Sequence, residues 1–176
     1  VDAESEEQFR DFVRARFQPL RTLAYVTCGD WQAAEDAVSG ALSRLYLKWD
    51  KVASPDAYAR KAVIRAAIGE KRRPWRREHT VGEAFPDVAT RDSSGDVDER
   101  LRMRDALRQV PPRQRAALVL RFLEGLSLEE TAEVLGCAPG TVKSQTSRGL
   151  DTLRAVLQAE ITEKGADDVV SHRGRA

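Results

Sequence analysis

The chain has 176 residues, of which 41% are hydrophobic, 6% aromatic and 32% charged, which suits one medium domain or two small helical ones with much surface. Its formal net charge of +1 excludes a uniformly basic nucleic-acid coat and confines any DNA affinity to local patches. Cys28 and Cys137 have no paired spacing for zinc or a redox motif, and no apolar run of about 18 residues or signal-peptide pattern is present, so two buried thiols in a reducing cytoplasm, without membrane insertion, are expected.

Helical periodicity dominates and alternating strand patterns are absent, which predicts an all-α fold. Phe9, Phe12, Val13 and Phe17 make a first apolar stripe that is expected to end near Pro19. Leu20, Leu23, Ala24 and Val26 continue helically to Gly29, and Asp30 caps a helix with Ala34, Val38, Ala41, Leu42, Leu45 and Trp49 inside. Ser54-Pro55 starts the next helix, with Tyr58, Ala62, Val63, Ala66, Ala67 and Ile68 as its apolar positions. It runs into a basic block of Lys71, Arg72, Arg73, Arg76 and Arg77.

From His79 to Asp96 no periodic apolar face remains, and Gly82, Pro86, Ser93, Ser94 and Gly95 mark a flexible linker. Helical order resumes with Val97, Leu101, Leu107 and Val110, breaks at Pro111-Pro112, and restarts through Ala116, Leu118, Val119 and Phe122. Beyond Glu160 the chain is polar and is expected to be a frayed, disordered tail. The expected organisation is a helical unit over 1–78, a linker over 79–96, a second helical unit over 97–160 and the tail over 161–176. The two units are expected to vary in relative orientation.

The segment from Ser127 to Arg148 reads as helix, tight turn and second helix, the arrangement that places side chains in the DNA major groove. Ser127 and Glu130 have the spacing of a capping box. Ala132 is small where two helices cross, Gly136 supplies the positive-φ turn residue, and Pro139 suits the first turn of the second helix. On that second helix Val142, Thr146, Leu150, Leu153 and Leu157 form the inner stripe. Lys143, Ser144, Ser147 and Arg148, with Gln145 beside them, form a face rich in donors and free of acids. A solvated helix face is the plain alternative, and the turn chemistry favours DNA recognition.

These residues together resemble the extracytoplasmic-function subgroup (group IV) of bacterial sigma-70-type sigma factors, which are RNA polymerase initiation subunits. The likeness runs from about Glu6 to Leu157 without the linker. The stretch from Leu107 to Ala132 and the helix Gly140-Thr-Val-Lys-Ser-Gln-Thr-Ser-Arg148 resemble the C-terminal region four of that family. The stretches from Gly29 to Val38, from Pro55 to Val63 and from Arg72 to Glu78 resemble its region two, and the arginines around Trp75 resemble an actinobacterial branch.

The resemblance implies two helical domains, no cofactor and no enzymatic activity. It implies that region two binds the β′ clamp helices of core polymerase and melts the downstream (−10) promoter element. It further implies that region four binds the β flap and reads the upstream (−35) element, and an anti-sigma factor is a common partner in the family. Carried over by position, Lys143, Ser144, Gln145, Ser147 and Arg148 face bases and phosphates, and Arg113 and Arg115 contact the DNA backbone. Arg65, Lys71, Arg72, Arg73, Arg76 and Arg77 serve the downstream element, and Asp36, Ser39, Gly40 and Ser43 the clamp. Trp75 has two readings, beside duplex DNA or finishing a small core with Trp49 and Tyr58.

The chain departs from the family pattern at four places. Ser39-Gly40 replaces a glutamine and an acid, and Arg65 replaces an asparagine near the unpaired bases. Pro74 interrupts the arginine block, and Ala138 offers no capping side chain. Two rival functions follow: a sigma-derived DNA-binding regulator with weak polymerase engagement, and a nucleic-acid-processing enzyme. The second finds no clustered carboxylates, metal-spaced ligands or activated nucleophile on the helical faces, with His79 in the linker and His172 in the tail.

Overall fold

The computed structural model describes residues 3–70 and 94–173, and the side chains of residues 3–69 and 99–162. Among the described residues every regular element is helical. Helices α1 (Ala3–Cys28), α2 (Trp31–Tyr46) and α3 (Pro55–Glu70) pack mutually, and a short 3-10 turn (Trp49–Lys51) joins the last two. Their shared core is Leu20, Ala24, Tyr25, Cys28, Ala34, Val38, Ala41, Leu45, Ala59, Val63 and Ala67 with their neighbours. Alanine dominates it, which lets the backbones come close. Larger rings close its ends: Tyr25 stacks on Trp31 at 3.8 Å, and Phe9 and Phe12 pack on Trp49 at 5.2 and 5.4 Å.

The local signals act as their chemistry predicts at most helix starts. Asp30 caps α2 by accepting from the Ala33 amide at 2.6 Å. Proline opens α3, α5 and α7, at the position where its missing donor is harmless. Pro19 does not end the first helix. α1 passes through it, and the cost of about 3 kcal/mol is offset because Leu20, Leu23 and Ala24, just beyond the proline, are buried. A break there would take them out of the core.

The second unit consists of α4 (Ser94–Gln109), α5 (Pro112–Leu118), a π-helical turn (Val119–Leu123), α6 (Leu128–Leu135) and α7 (Pro139–Arg173). α4, α5 and α6 all pack against α7. α4 takes in the end of the stretch expected to be linker, whose remainder lies outside the described residues. The expected tail differs too. The backbone of α7 stays helical through Arg173, across a stretch with alanine, glutamate and lysine and no proline to stop it.

The two units, expected to orient independently, meet along α1 and α3 on one side and α5 and α6 on the other. A second apolar cluster spans the junction, with Leu23 and Ile64 from the first unit and Ala116, Val119, Leu120 and Val134 from the second. Ile64 is 0% exposed, yet it belongs to this cluster and not to the core of its own unit.

Candidate nucleic-acid interface

The turn between α6 and α7 is built from its backbone requirements. Ser127 Oγ accepts from the Glu130 amide at 3.1 Å while the Glu130 carboxylate accepts from the Ser127 amide at 2.7 Å, completing the capping box. The Ser127 amide, with the Ser127 hydroxyl beside it, holds the Glu130 carboxyl below the usual glutamate range. α6 ends at Gly136 with φ +64°, and the Cys137 amide then donates to the Ala132 carbonyl at 3.1 Å. α7 begins without a side-chain cap; the Ala138 carbonyl takes the Thr141 and Val142 amides at 2.9 and 3.2 Å.

This frame fixes which side of α7 faces out. Val142 is 0% exposed and Thr146, Leu150, Leu153 and Leu157 are half-buried, so the inner stripe lies where the periodicity puts it. Lys143, Ser144, Ser147 and Arg148 are exposed together, with Gln145 half-buried at their edge. Neither Lys143 nor Arg148 forms an ion pair among the described residues, so both charges face solvent. Ser144 Oγ donates to the Thr141 carbonyl at 2.9 Å and keeps its lone pairs for an incoming donor. Gly149, which the sequence reading overlooks, sets the depth of the helix. A Cβ there would lie 3.1 Å from the Leu118 side chain, so any larger residue requires Leu118 to shift by a few tenths of an ångström for α7 to seat this closely on α5.

The cations on the other elements divide sharply. Arg113 is exposed at the start of α5, one residue from Gln114, which abuts Gly149. Arg115 is not available to a DNA backbone here. Its side chain is fully buried and donates to the Arg108 carbonyl at 3.0 Å and the Val110 carbonyl at 3.1 Å, beside Gly29 at the end of α1. These acceptors lie at the C-terminal end of α4, where carbonyls lack intrahelical donors and the helix dipole is negative, and that offsets the burial of a cation. Burial lowers its pKa from the ordinary arginine value. The neighbouring Cys28 thiol is pushed up to about 11 by burial, which leaves it protonated and inert.

Arg65 is likewise engaged within the chain. Its Nε donates to the Val134 carbonyl at 2.9 Å and its Nη2 to the Glu133 carbonyl at 3.2 Å, serving the exposed end of α6 as a capping group from another helix. Arg60 bonds Glu124 at 2.9 Å and Asp56 at 3.0 Å, and Lys61 bonds Glu133 at 3.0 Å. Lys71, Arg72, Arg73, Arg76 and Arg77, and Trp75 with them, lie outside the described residues. Trp49 is packed on Phe9 and Phe12.

The four residues carried over to the polymerase surface lie along one side of α2. Asp36, Ser39 and Ser43 are exposed and Gly40 is half-buried among them. Gln32 Nε2 donates to Asp36 at 3.3 Å and Ser43 Oγ to the Ser39 carbonyl at 2.8 Å. Tyr46 and Leu47 continue the exposure, Leu47 at 80%. A Cβ on Gly40 would meet nothing nearer than the Arg44 guanidinium, 3.4 Å away. Nothing among the described residues therefore requires glycine there. Among the described residues no three His, Cys, Asp or Glu side chains gather as metal ligands, and no helix is long and apolar enough to cross a membrane.

Comparison with known proteins agrees with this geometry. The family model described as sigma-70, region 4, matches residues 100–153. The chain is 36% identical over 155 residues to the RNA polymerase sigma-E factor of Streptomyces avermitilis, covering 86% of both chains. It is 27% identical over 154 residues to the ECF RNA polymerase sigma factor SigM of Mycobacterium tuberculosis, covering 85% of this chain and 76% of that one. Among solved structures, the fold is similar to that of the sigma factor RpoE from Bartonella quintana, solved in complex with the anti-sigma factor NepR. The TM-score is 0.66 at 24% identity, covering 86% of this chain and 98% of that one. CnrH, solved with the cytosolic domain of CnrY, gives a TM-score of 0.61 at 20% identity, covering 88% and 90%.

Proposed function

The chain belongs to the extracytoplasmic-function group of sigma-70-type RNA polymerase sigma factors, and from that premise we propose how its two units divide promoter-specific initiation between them. The unit of α4–α7 reads the upstream promoter element with α7 in the major groove. The unit of α1–α3 holds core polymerase through the exposed side of α2 and engages the downstream element. The partners are core polymerase, through the β′ clamp helices and the β flap, and promoter DNA, in the cytoplasm. No catalytic step is assigned to the chain.

The observation that carries the reading is the outward face of α7. Lys143 and Arg148 project two unpaired cations from a helix whose position is set by the Gly136 turn and the Gly149 contact. Arginine and lysine can each donate to guanine O6 and N7 in the major groove, while the flanking serines accept or donate to base or phosphate. Arg113, at the open end of α5, suits a phosphate contact beside that helix.

On α2 the polar side chains that the family places at the clamp contact are replaced by Ser39-Gly40. Because nothing among the described residues needs glycine at position 40, we read the missing side chain as open to a partner. We assign it to close approach by a polymerase helix, with Asp36, Ser39 and Ser43 making polar contacts around it.

Run-off transcription with core polymerase tests the reading. Addition of the full chain should produce transcripts from a small set of promoters, and DNA binding without any promoter-dependent transcript would favour the weakly engaging DNA-binding regulator instead.

A further inference from the structure

On α1 and α3 an arginine follows an acid by four residues, and each pair closes: Glu6 with Arg10 at 2.6 Å and Asp56 with Arg60 at 3.0 Å. Arg44 on α2 has no such acid. One turn away stand Gly40 and Ala41 before it and Leu47 and Lys48 after it. The acids of α2 lie two turns back, Glu35 bonded to Arg21 at 2.8 Å and Asp36 accepting from Gln32. Arg44 is exposed and forms no ion pair or hydrogen bond among the described residues. Its Nη1 and Nη2 lie 3.4 and 3.8 Å from where a Cβ on Gly40 would stand, so the guanidinium covers the space that an acid at position 40 would use to reach it. Beside it Leu47 is the most exposed large apolar side chain among the described residues.

We propose that Arg44 is the charge-selecting residue of the α2 surface, binding a carboxylate that a partner helix brings over Gly40. The proposal rests on the reading that α2 holds core polymerase, and it specifies what that contact selects: an acidic side chain with an apolar one within a turn of it. The guanidinium fork matches a carboxylate in a bidentate pair. With no Cβ at position 40 a partner backbone can approach closely, and excluding water from the pair strengthens it. Leu47 gives the partner an apolar contact on the same side, and exposed Lys48 adds to the positive field. Before the partner arrives, the negative C-terminal end of the α2 dipole steadies Arg44 in the last turn.

The test is equilibrium binding of the full chain to core polymerase, with helicity confirmed for each variant. Arg44→Gln should weaken association about tenfold or more, and Arg44→Glu further, while Arg44→Lys keeps part of the affinity. Arg14→Gln, at an exposed arginine of α1, is the charge-matched control. Gly40→Glu supplies the missing acid within the chain, so it should weaken binding more than the equally bulky Gly40→Gln. Affinities of Arg44→Gln and Arg44→Glu equal to the control would overturn the proposal. So would a loss confined to binding of a single-stranded deoxyoligonucleotide, which would give the cation to nucleic acid. Gly40→Gln separates the proposal from the reading it rests on. If it weakens core binding while the Arg44 variants do not, α2 holds polymerase without the ion pair and only the proposal falls; if none of these variants changes core binding, both fall.

Discussion

Two helices of this chain carry cations to quite different ends. On α7, Lys143 and Arg148 are exposed with no ion pair among the described residues, whereas on α3, Arg60, Lys61 and Arg65 are each bonded to the turn before α6 or to α6 itself. The same division appears two positions apart on α5, where Arg113 is exposed and Arg115 is buried against the end of α4. What separates them is the partner across the gap: a helix C-terminus or a carboxylate converts a potential DNA contact into an internal bond.

The largest effect expected from that contrast is at Arg115. Its replacement by alanine strands the Arg108 and Val110 carbonyls and opens a void between units, and should cost about 3 kcal/mol or more in urea unfolding. Arg113→Ala, on the open side of the same helix, should stay within about 0.5 kcal/mol of the wild type. Similar losses at both positions would break the comparison.

Next in size is the effect of Arg148→Ala on binding. A lost base contact should weaken affinity for the upstream element by about 1–3 kcal/mol, with a much smaller change on scrambled duplex at the same salt. Arg113→Ala should weaken both duplexes alike, as loss of a phosphate contact does. If Arg148→Ala also lowers both equally, α7 only anchors the protein and does not read sequence.

Gly136→Ala probes the junction and the turn at once. It forces a side chain into the left-handed region, at about 1–2 kcal/mol, and drives Arg65 off the end of α6. Lower thermal stability is therefore expected. A neutral outcome would show that the Arg65 contact contributes nothing. At Gly40 the sign reverses: with only the Arg44 side chain nearby, Gly40→Ala should raise stability by about 1 kcal/mol while weakening association with core polymerase. Tighter core binding instead would remove the close-approach role.

The smallest effect concerns pH. Ser127 holds the Glu130 carboxyl below its ordinary range, and a group whose folded pKa is depressed adds stability above its unfolded pKa and loses it as pH falls through the folded one. Glu130→Gln should thus be less stable than the wild type near neutrality and indistinguishable from it well below about pH 4. A deficit that persists in acid would assign the loss to packing and not to charge.

What the sequence made legible follows from the range of each interaction. The capping box at Ser127, the Gly136 turn, the Asp30 cap and the outward face of α7 depend on residues within a turn or two of one another, and all are found as read. Arg115 and Arg65 were not legible, because their partners are backbone carbonyls, which every residue type carries. For Arg65 those carbonyls lie 68 and 69 residues away along the chain. Pro19 misled for a related reason: its local penalty is plain in the sequence, while the burial of Leu20 and Leu23 that outweighs it is tertiary. Gly149 had a signal, a glycine inside an otherwise helical pattern, whose meaning appears only once Leu118 is seen against it.

The most direct test of the account maps where α7 lies on a promoter. Arg148→Cys is made in a Cys137→Ser background, Cys28 being buried and too basic a thiol to react. A DNA-cleaving reagent is tethered at position 148 and the protein is assembled with core polymerase on a promoter that it transcribes. Cuts confined to the upstream element, in the major groove, are the predicted result; cuts at the downstream element, or scattered along the duplex, would contradict it.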